Sequence, residues 1–308
     1  MKSPNVLIHI GYPKSGSSTL QECVLSKHSG VRYLAGHTLE SELDKRPLDL
    51  ERVRTFYNSI IHDQNPDMSY LQSTWEEVFL TLCDHDKLNV ISDERFVMNY
   101  RSPAEIAKTL RKVIGPAKIL IVARDQVGLL RSQYDMSPFY ERDPNRKYLP
   151  FKPWLEKMLA QADENMASSL RYKKIVDLYA SLFGEENIIV AAFEGLFTCP
   201  LLQANLAAAL VLEPAEFSHL LRSSKTGDAS SHGYKKITRR ILGARTASSY
   251  LKPKQLQLAR WVLRKLFPGR KTQVDSDCVA LIRAFYKGHQ LSDLALQPGA
   301  ITVVKALD

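Results

Sequence analysis

Four short apolar runs stand out along the chain: Asn5 to Ile10, Leu88 to Ser92, Lys118 to Ala123 and Asn187 to Ala192. Each has strand length and is bounded by turn residues or charge, so each predicts a buried strand. Between them the apolar positions take up helical spacing. One helix is predicted over Ser17 to His28. Ser102-Pro-Ala-Glu105 reads as a capping box with Pro at the first helical position, opening a second helix toward Ile114. A third runs from about Ser168 to Phe183, with Gly184 as its C-cap. Strands separated by helices pair in parallel through right-handed crossovers, which predicts an α/β protein, three layers (α/β/α) around a central parallel sheet. Ligands of such sheets sit at the carboxyl ends of the strands. The segment Tyr134 to Trp154 has no clear period and reads as a long excursion over that edge. It is either a lid or acceptor-binding loop, or an ordinary surface loop.

The 308 residues, 44 % of them hydrophobic, suffice for one α/β unit of ordinary size or two small domains. The arrangement expected is a single domain over 1–308 with a basic, mainly helical C-terminal region at about 229–308. No apolar run approaches the roughly 18–20 residues of a membrane span. A strand follows Met1 almost at once, without the pattern of a secretory leader, so the expected location is cytoplasmic. Cys23, Cys83, Cys199 and Cys278 form no C-x-x-C pair and the histidines no H-x-x-x-H pair. Neither a metal site nor a disulfide framework is therefore expected.

The net charge of +9 is unevenly placed. Between Arg222 and Gln273 stand fourteen Lys or Arg against the single acid Asp228, a local charge of +13 that leaves −4 for the rest. A basic C-terminal third points to an anionic partner without choosing among nucleotide, glycan, nucleic acid and lipid. Within it, Leu258, Trp261, Val262 and Leu266 recur at helical spacing over Tyr250 to Phe267, with Lys254, Arg260, Arg264 and Lys265 mostly elsewhere around the wheel. Such a helix either docks on the core with a solvated basic face or makes peripheral contact with an anionic membrane, which would suit a lipid-linked acceptor.

The richest stretch is Gly11-Tyr-Pro-Lys-Ser-Gly-Ser-Ser-Thr-Leu20, between a strand and a helix. Gly11 and Gly16 permit positive φ and close backbone approach. The amides from Lys14 to Ser18 converge on an anion at the helix start, and Ser15, Ser17, Ser18 and Thr19 add hydroxyls. The spacing G-x-x-x-x-G is that of an ATP-binding P-loop, but Ser17 stands where that motif requires lysine. The lysine lies inside the turn, at Lys14, and the usual Mg²⁺ arrangement is not implied.

Pro13-Lys-Ser-Gly-Ser-Ser18 resembles the 5′-phosphosulfate loop of the sulfotransferases that use 3′-phosphoadenosine 5′-phosphosulfate (PAPS). A second resemblance lies in Lys118-Ile-Leu-Ile-Val-Ala-Arg124, where a strand ends in Arg and Ser132 follows eight positions on. In that family such an Arg and Ser hold the 3′-phosphate, a role that suits a forked guanidinium and a helical hydroxyl. Ile188-Ile-Val-Ala-Ala-Phe-Glu-Gly-Leu196 is similar to the family's Y-E-D-L turn, with Phe193 for tyrosine and Gly195 for aspartate, which places Phe193 near the adenine. Arg222-Ser-Ser-Lys-Thr-Gly-Asp228 is loosely similar to the loop that closes over the 3′-phosphate, implying Arg222, Ser224 and Lys225 as donor-binding residues. The resemblance spans about residues 5 to 228. It implies a P-loop NTPase-like sulfotransferase fold, PAPS as co-substrate, adenosine 3′,5′-bisphosphate (PAP) as product and no metal.

Sulfuryl transfer is in-line displacement, governed by positioning and charge stabilisation. Lys14 is the electrophile that steadies charge on the leaving oxygen. A hydroxyl acceptor, be it carbohydrate, glycolipid or small metabolite, also needs a base. Glu94, directly after the strand Leu88 to Ser92, is the first candidate, unless it only pairs with Arg95 or Arg101. Asp93 is its neighbour on the opposite strand face, and His37 is the further option. Two other readings stay open: a non-catalytic polyanion-binding protein on the same fold, and a P-loop nucleotide kinase. Nucleic acid is not the expected partner of the enzyme reading.

Overall fold

The computed structural model describes residues 4–98, 100–140, 149–223, 272–294 and 302–304. They form two compact units. The first takes the chain up to Asp125, from Gln161 to 223 and from Tyr286 onward; the second takes Gln126–Ala160 and the described part of 225–285.

The first unit holds an all-parallel sheet of six strands: β1 (Val6–His9), β2 (Val31–Tyr33), β3 (Leu88–Ser92), β4 (Lys118–Ala123), β5 (Ile188–Ala192) and β6 (Thr302–Val304), in the order β2-β3-β1-β4-β5-β6. The four predicted strands are present with their ends moved by at most one residue. Their side chains are buried on both faces, as covered parallel sheets require: Leu7, Ile8, Val90, Ile91, Ile119, Leu120, Val122 and Val190 have no exposed surface. Helices Pro103–Ile114 and Tyr172–Phe183 pack together in one layer, the latter against β4 and β5. Helices Pro200–Leu210 and Pro214–Ser223 pack together as well, the second of them against the π-helical turn Leu20–Leu25. The architecture is three-layer α/β/α.

Several local expectations are corrected. The helix after β1 is regular only over Ser17–Thr19 and then widens to π geometry over Leu20–Leu25, ending three residues short of His28. Ser102 does precede helix Pro103–Ile114, yet it makes no side-chain cap bond, and Glu105 bonds Lys108 instead, so no capping box forms. The run from Ser168 is a short 3₁₀ turn, Ser168–Leu170, before helix Tyr172–Phe183, which ends at Gly184 (φ 91°) as predicted.

In the second unit the described parts of the segment read as a loop are largely helical, and residues 141–148 of it lie outside the described residues. Helix Gln126–Tyr140 passes through its first half and helix Phe151–Ala160 opens within its second. Tyr134 packs edge-on against Phe151 and Trp154 at 5.2 and 5.3 Å, and Tyr134 and Phe151 are buried. Tyr134, Phe151 and Trp154, three of the aromatics in that segment, thus pack on one another. The basic stretch 224–271, with its predicted amphipathic helix at 250–267, lies outside the described residues. Among the described residues no helix is long and apolar enough to cross a membrane.

Candidate active site

From β1 the chain goes to β2 and β3 on one side and then to β4 and β5 on the other. The topological switch point is therefore β1, and the crevice of an open α/β sheet lies at the carboxyl end of that strand. The turn Gly11 to Gly16 occupies it. β3 delivers Asp93 and Glu94 to one flank and β4 delivers Arg124 to the other.

The turn is wound tightly. Lys14 (φ 69°) and Gly16 (φ 73°) are both left-handed; for lysine this is an uncommon backbone state that the surrounding contacts must hold. The Ser15 N–H and the Ser17 hydroxyl both donate to the Tyr12 carbonyl, at 3.2 and 3.0 Å. Tyr12 is buried, donates its hydroxyl to the Ser169 carbonyl at 2.8 Å and meets Tyr172 edge-on at 4.9 Å. A Cβ on Gly11 would collide with the His9 imidazole and the Ser17 hydroxyl; one on Gly16 would come within 2.8 Å of Phe193 and 2.9 Å of Phe197. The first intrahelical bond runs from the Leu20 N–H to the Gly16 carbonyl. The amides of Ser17, Ser18 and Thr19 precede it and belong to the set a helix start leaves without an internal acceptor. Among the described residues the buried Ser15 hydroxyl has no hydrogen-bond partner.

Arg124 closes the β4 flank. Its guanidinium donates to the Lys14 carbonyl at 2.7 Å and lies over the Phe193 ring, 4.5 Å from the centroid. Phe193, at the end of β5, is therefore already gathered to the turn, its edge at Gly16 and its face under Arg124. The Tyr172 hydroxyl donates to the Arg124 carbonyl, and the Asp125 N–H donates to Glu194 at 2.9 Å, fixing the backbone on either side of that bond.

On the β3 flank the two acids have separate environments. Asp93 caps the 3₁₀ turn Glu94–Val97, accepting from the Arg95 backbone N–H at 2.8 Å and from the Arg95 guanidinium at 2.7 Å. Arg101 is buried elsewhere, donating to the Ile60 carbonyl and Thr109. Neither arginine is engaged by Glu94, whose neighbours are Lys14 and Ser17. Burial pushes its carboxyl up to about 7, Asp93 adds to the rise, and the Lys14 ammonium and Ser17 hydroxyl pull it back.

Beneath the turn lies an element the sequence does not announce. His9, at the end of β1, is fully buried; its Nδ1 is 2.7 Å from the Ser92 Oγ, which also accepts from the Gln21 amide at 2.8 Å. Burial lowers its pKa to about 4, so the ring is neutral at neutral pH. The alternation of β1 hides it, because every position of that strand is buried and no polar face marks His9 as special.

A cleft of about 590 Å³ opens beside this flank, reaching from Ser18 and Gln21 past Ser92 and Glu94 to Tyr33 and Tyr57. Tyr57 and its supporting helix Pro47–His62 are absent from the sequence-level expectation. A signal was present: Val53, Phe56, Tyr57 and Ile60 recur at helical spacing and are buried.

The remaining predicted residues do not all gather here. His37 lies in helix Gly36–Glu42, its side chain outside the described residues. Ser132 lies on helix Gln126–Tyr140 in the second unit, partly exposed. Arg222 is exposed in the last turn of helix Pro214–Ser223, where its Nε donates to the Ser218 carbonyl. Ser224 and Lys225 fall outside the described residues.

No family model matches the chain, and no curated protein matches it. Among solved structures the chain is similar to a sulfotransferase from Alicyclobacillus acidocaldarius, at 18% identity and a TM-score of 0.43, over 70% of this chain and 83% of that one.

Proposed function

We propose that the protein is a sulfotransferase that uses PAPS as donor and a hydroxyl-bearing molecule as acceptor. The observation that carries the proposal is the convergence of Lys14, Arg124 and Glu94, from three strand ends, on one glycine-walled turn. The residues present fit an anionic nucleotide. Among the described residues the buried Ser15 hydroxyl lacks a partner, the helix start presents backbone N–H groups suited to an anion, and Gly11 and Gly16 keep the turn thin enough for a phosphate to approach the backbone.

The donor supplies an activated sulfuryl group whose sulfur–oxygen bond to the 5′-phosphate breaks as the acceptor oxygen bonds to sulfur. Lys14 neutralises the electron pair left on the phosphate oxygen. Glu94 takes the acceptor's proton; its pKa of about 7 makes it an effective base near neutral pH. Arg124 brings a forked positive charge to the donor's phosphate, and its bond to the Lys14 carbonyl fixes the turn. Ser132, Arg222, Ser224 and Lys225 are proposed donor contacts through the family resemblance alone.

Transfer of labelled sulfate from PAPS tests this reading. Glu94→Gln should lose about 10²–10⁴-fold in turnover, the range of a missing general base, while keeping its affinity for PAP. A fully active Glu94→Gln enzyme moves the proton elsewhere and contradicts the assignment of the base.

A further inference from the structure

The cleft beside Glu94 carries a second, finer reading that rests on the sulfotransferase assignment. Its cations are cancelled before any ligand arrives. Arg54 meets Glu40 at 3.3 Å, and Arg95 is held by Asp93 at 2.7 Å. With Glu94 added, the formal charge of the lining is negative or, with Glu94 protonated, neutral. Lys14 stands at Glu94 and is proposed to serve the donor; beyond it, an anionic acceptor would meet no uncompensated cation among the described lining residues.

Nor is the cleft a greasy slot. Among the described residues Leu39 and Val53 are the only aliphatic side chains in its lining. Neutral hydrogen-bonding groups replace them: the amide of Asn58, the hydroxyl of Ser18 and the amide of Gln21, which is itself positioned by its bond to Ser92. Tyr57 donates its own hydroxyl to the Leu34 carbonyl at 2.9 Å and so contributes chiefly its ring, and burial keeps Tyr33 in its neutral form. A volume of about 590 Å³ falls within the range of small-molecule pockets, about 300–1,000 Å³.

We propose that this cleft is the acceptor site and that it selects an uncharged polyhydroxylated molecule of the glycoside class. Its hydroxyls meet the amides and Ser18 and its C–H faces meet the tyrosine rings. Glu40 and Asp93, by neutralising Arg54 and Arg95, exclude acidic acceptors. In the reaction one glycoside hydroxyl gives its proton to Glu94 and its oxygen forms the new bond to sulfur.

The test compares three probes: a methyl hexoside, the matching methyl hexuronide and a simple phenol. Binding is followed by saturation-transfer NMR and sulfonation by label transfer, with PAP affinity measured on the same preparation. The hexoside should bind and react with a kcat/KM at least about tenfold above that of the hexuronide. Glu40→Gln frees Arg54 and should narrow that ratio about two- to fivefold, the scale of an exposed ion pair. Three results overturn the proposal while PAP still binds: no binding of the hexoside, preference for the hexuronide or the phenol, or a ratio that Glu40→Gln leaves unmoved. Loss of PAP binding in the wild-type protein instead overturns the sulfotransferase reading on which this one rests.

Discussion

Glu94 is held between a desolvating wall and a facing ammonium, and both pressures are measurable. Its pKa of about 7 predicts that kcat/KM rises with pH through an acidic limb centred near 7 and then levels, a limb that Glu94→Gln lacks. The same shift sets a stability trend. Between about 4.5 and about 7 the native state holds the Glu94 proton more tightly than the unfolded chain does. Its contribution is therefore full below 4.5 and is lost as pH rises through 7. Denaturant titrations at pH 4.5 and pH 8 should show Glu94→Gln gaining about 1–3 kcal/mol on the wild type over that interval. At this scale much of the site was legible in the sequence, because Lys14, Glu94 and Arg124 stand at the ends of strands whose apolar runs are unmistakable. His9 was not, because it lies in a strand whose every position is buried, and Tyr57 showed only as one apolar position of an amphipathic helix; their tertiary partners give each its role.

Among the elements, the 3₁₀ turn Glu94–Val97 does more than carry the proposed base. Its cap, Asp93, both ties down Arg95 and raises the pKa of Glu94 by like-charge proximity. Asp93→Asn keeps the shape and removes the charge, so the acidic limb of the rate profile should move to lower pH. A limb that stays near 7 would mean that burial alone sets it. The widened turn Leu20–Leu25 carries Gln21 to Ser92, a geometry of the kind π turns supply at functional sites. Local sequence patterns do not reveal it. Nor did they reveal helix Gln126–Tyr140 in full, since Tyr134, with Phe151 and Trp154, resembles loop aromatics until the three are seen packed together. The failed capping box at Ser102 has the reverse cause: the motif is present, but Glu105 finds Lys108.

For the molecule as a whole, the parallel sheet followed from strand–helix alternation, whereas the strand order did not. β2 and β6 are three residues each, too short to register as periodic runs. It is that order which makes β1 the switch point and assembles one site from residues as distant in sequence as Lys14 and Arg124. On the proposed function, this site takes an adenine nucleotide bearing a 3′-phosphate and a 5′-anion in place of a Mg²⁺-bound triphosphate. Isothermal titration of the wild-type protein and Arg124→Ala with PAP, and separately with Mg-ATP, measures it most directly. The expected result is saturable PAP binding without metal, weakened at least about tenfold in Arg124→Ala, where a charge-assisted hydrogen bond is removed, and no comparable Mg-ATP binding. Heats for Mg-ATP that equal or exceed those for PAP, or PAP affinity indifferent to Arg124, would contradict it.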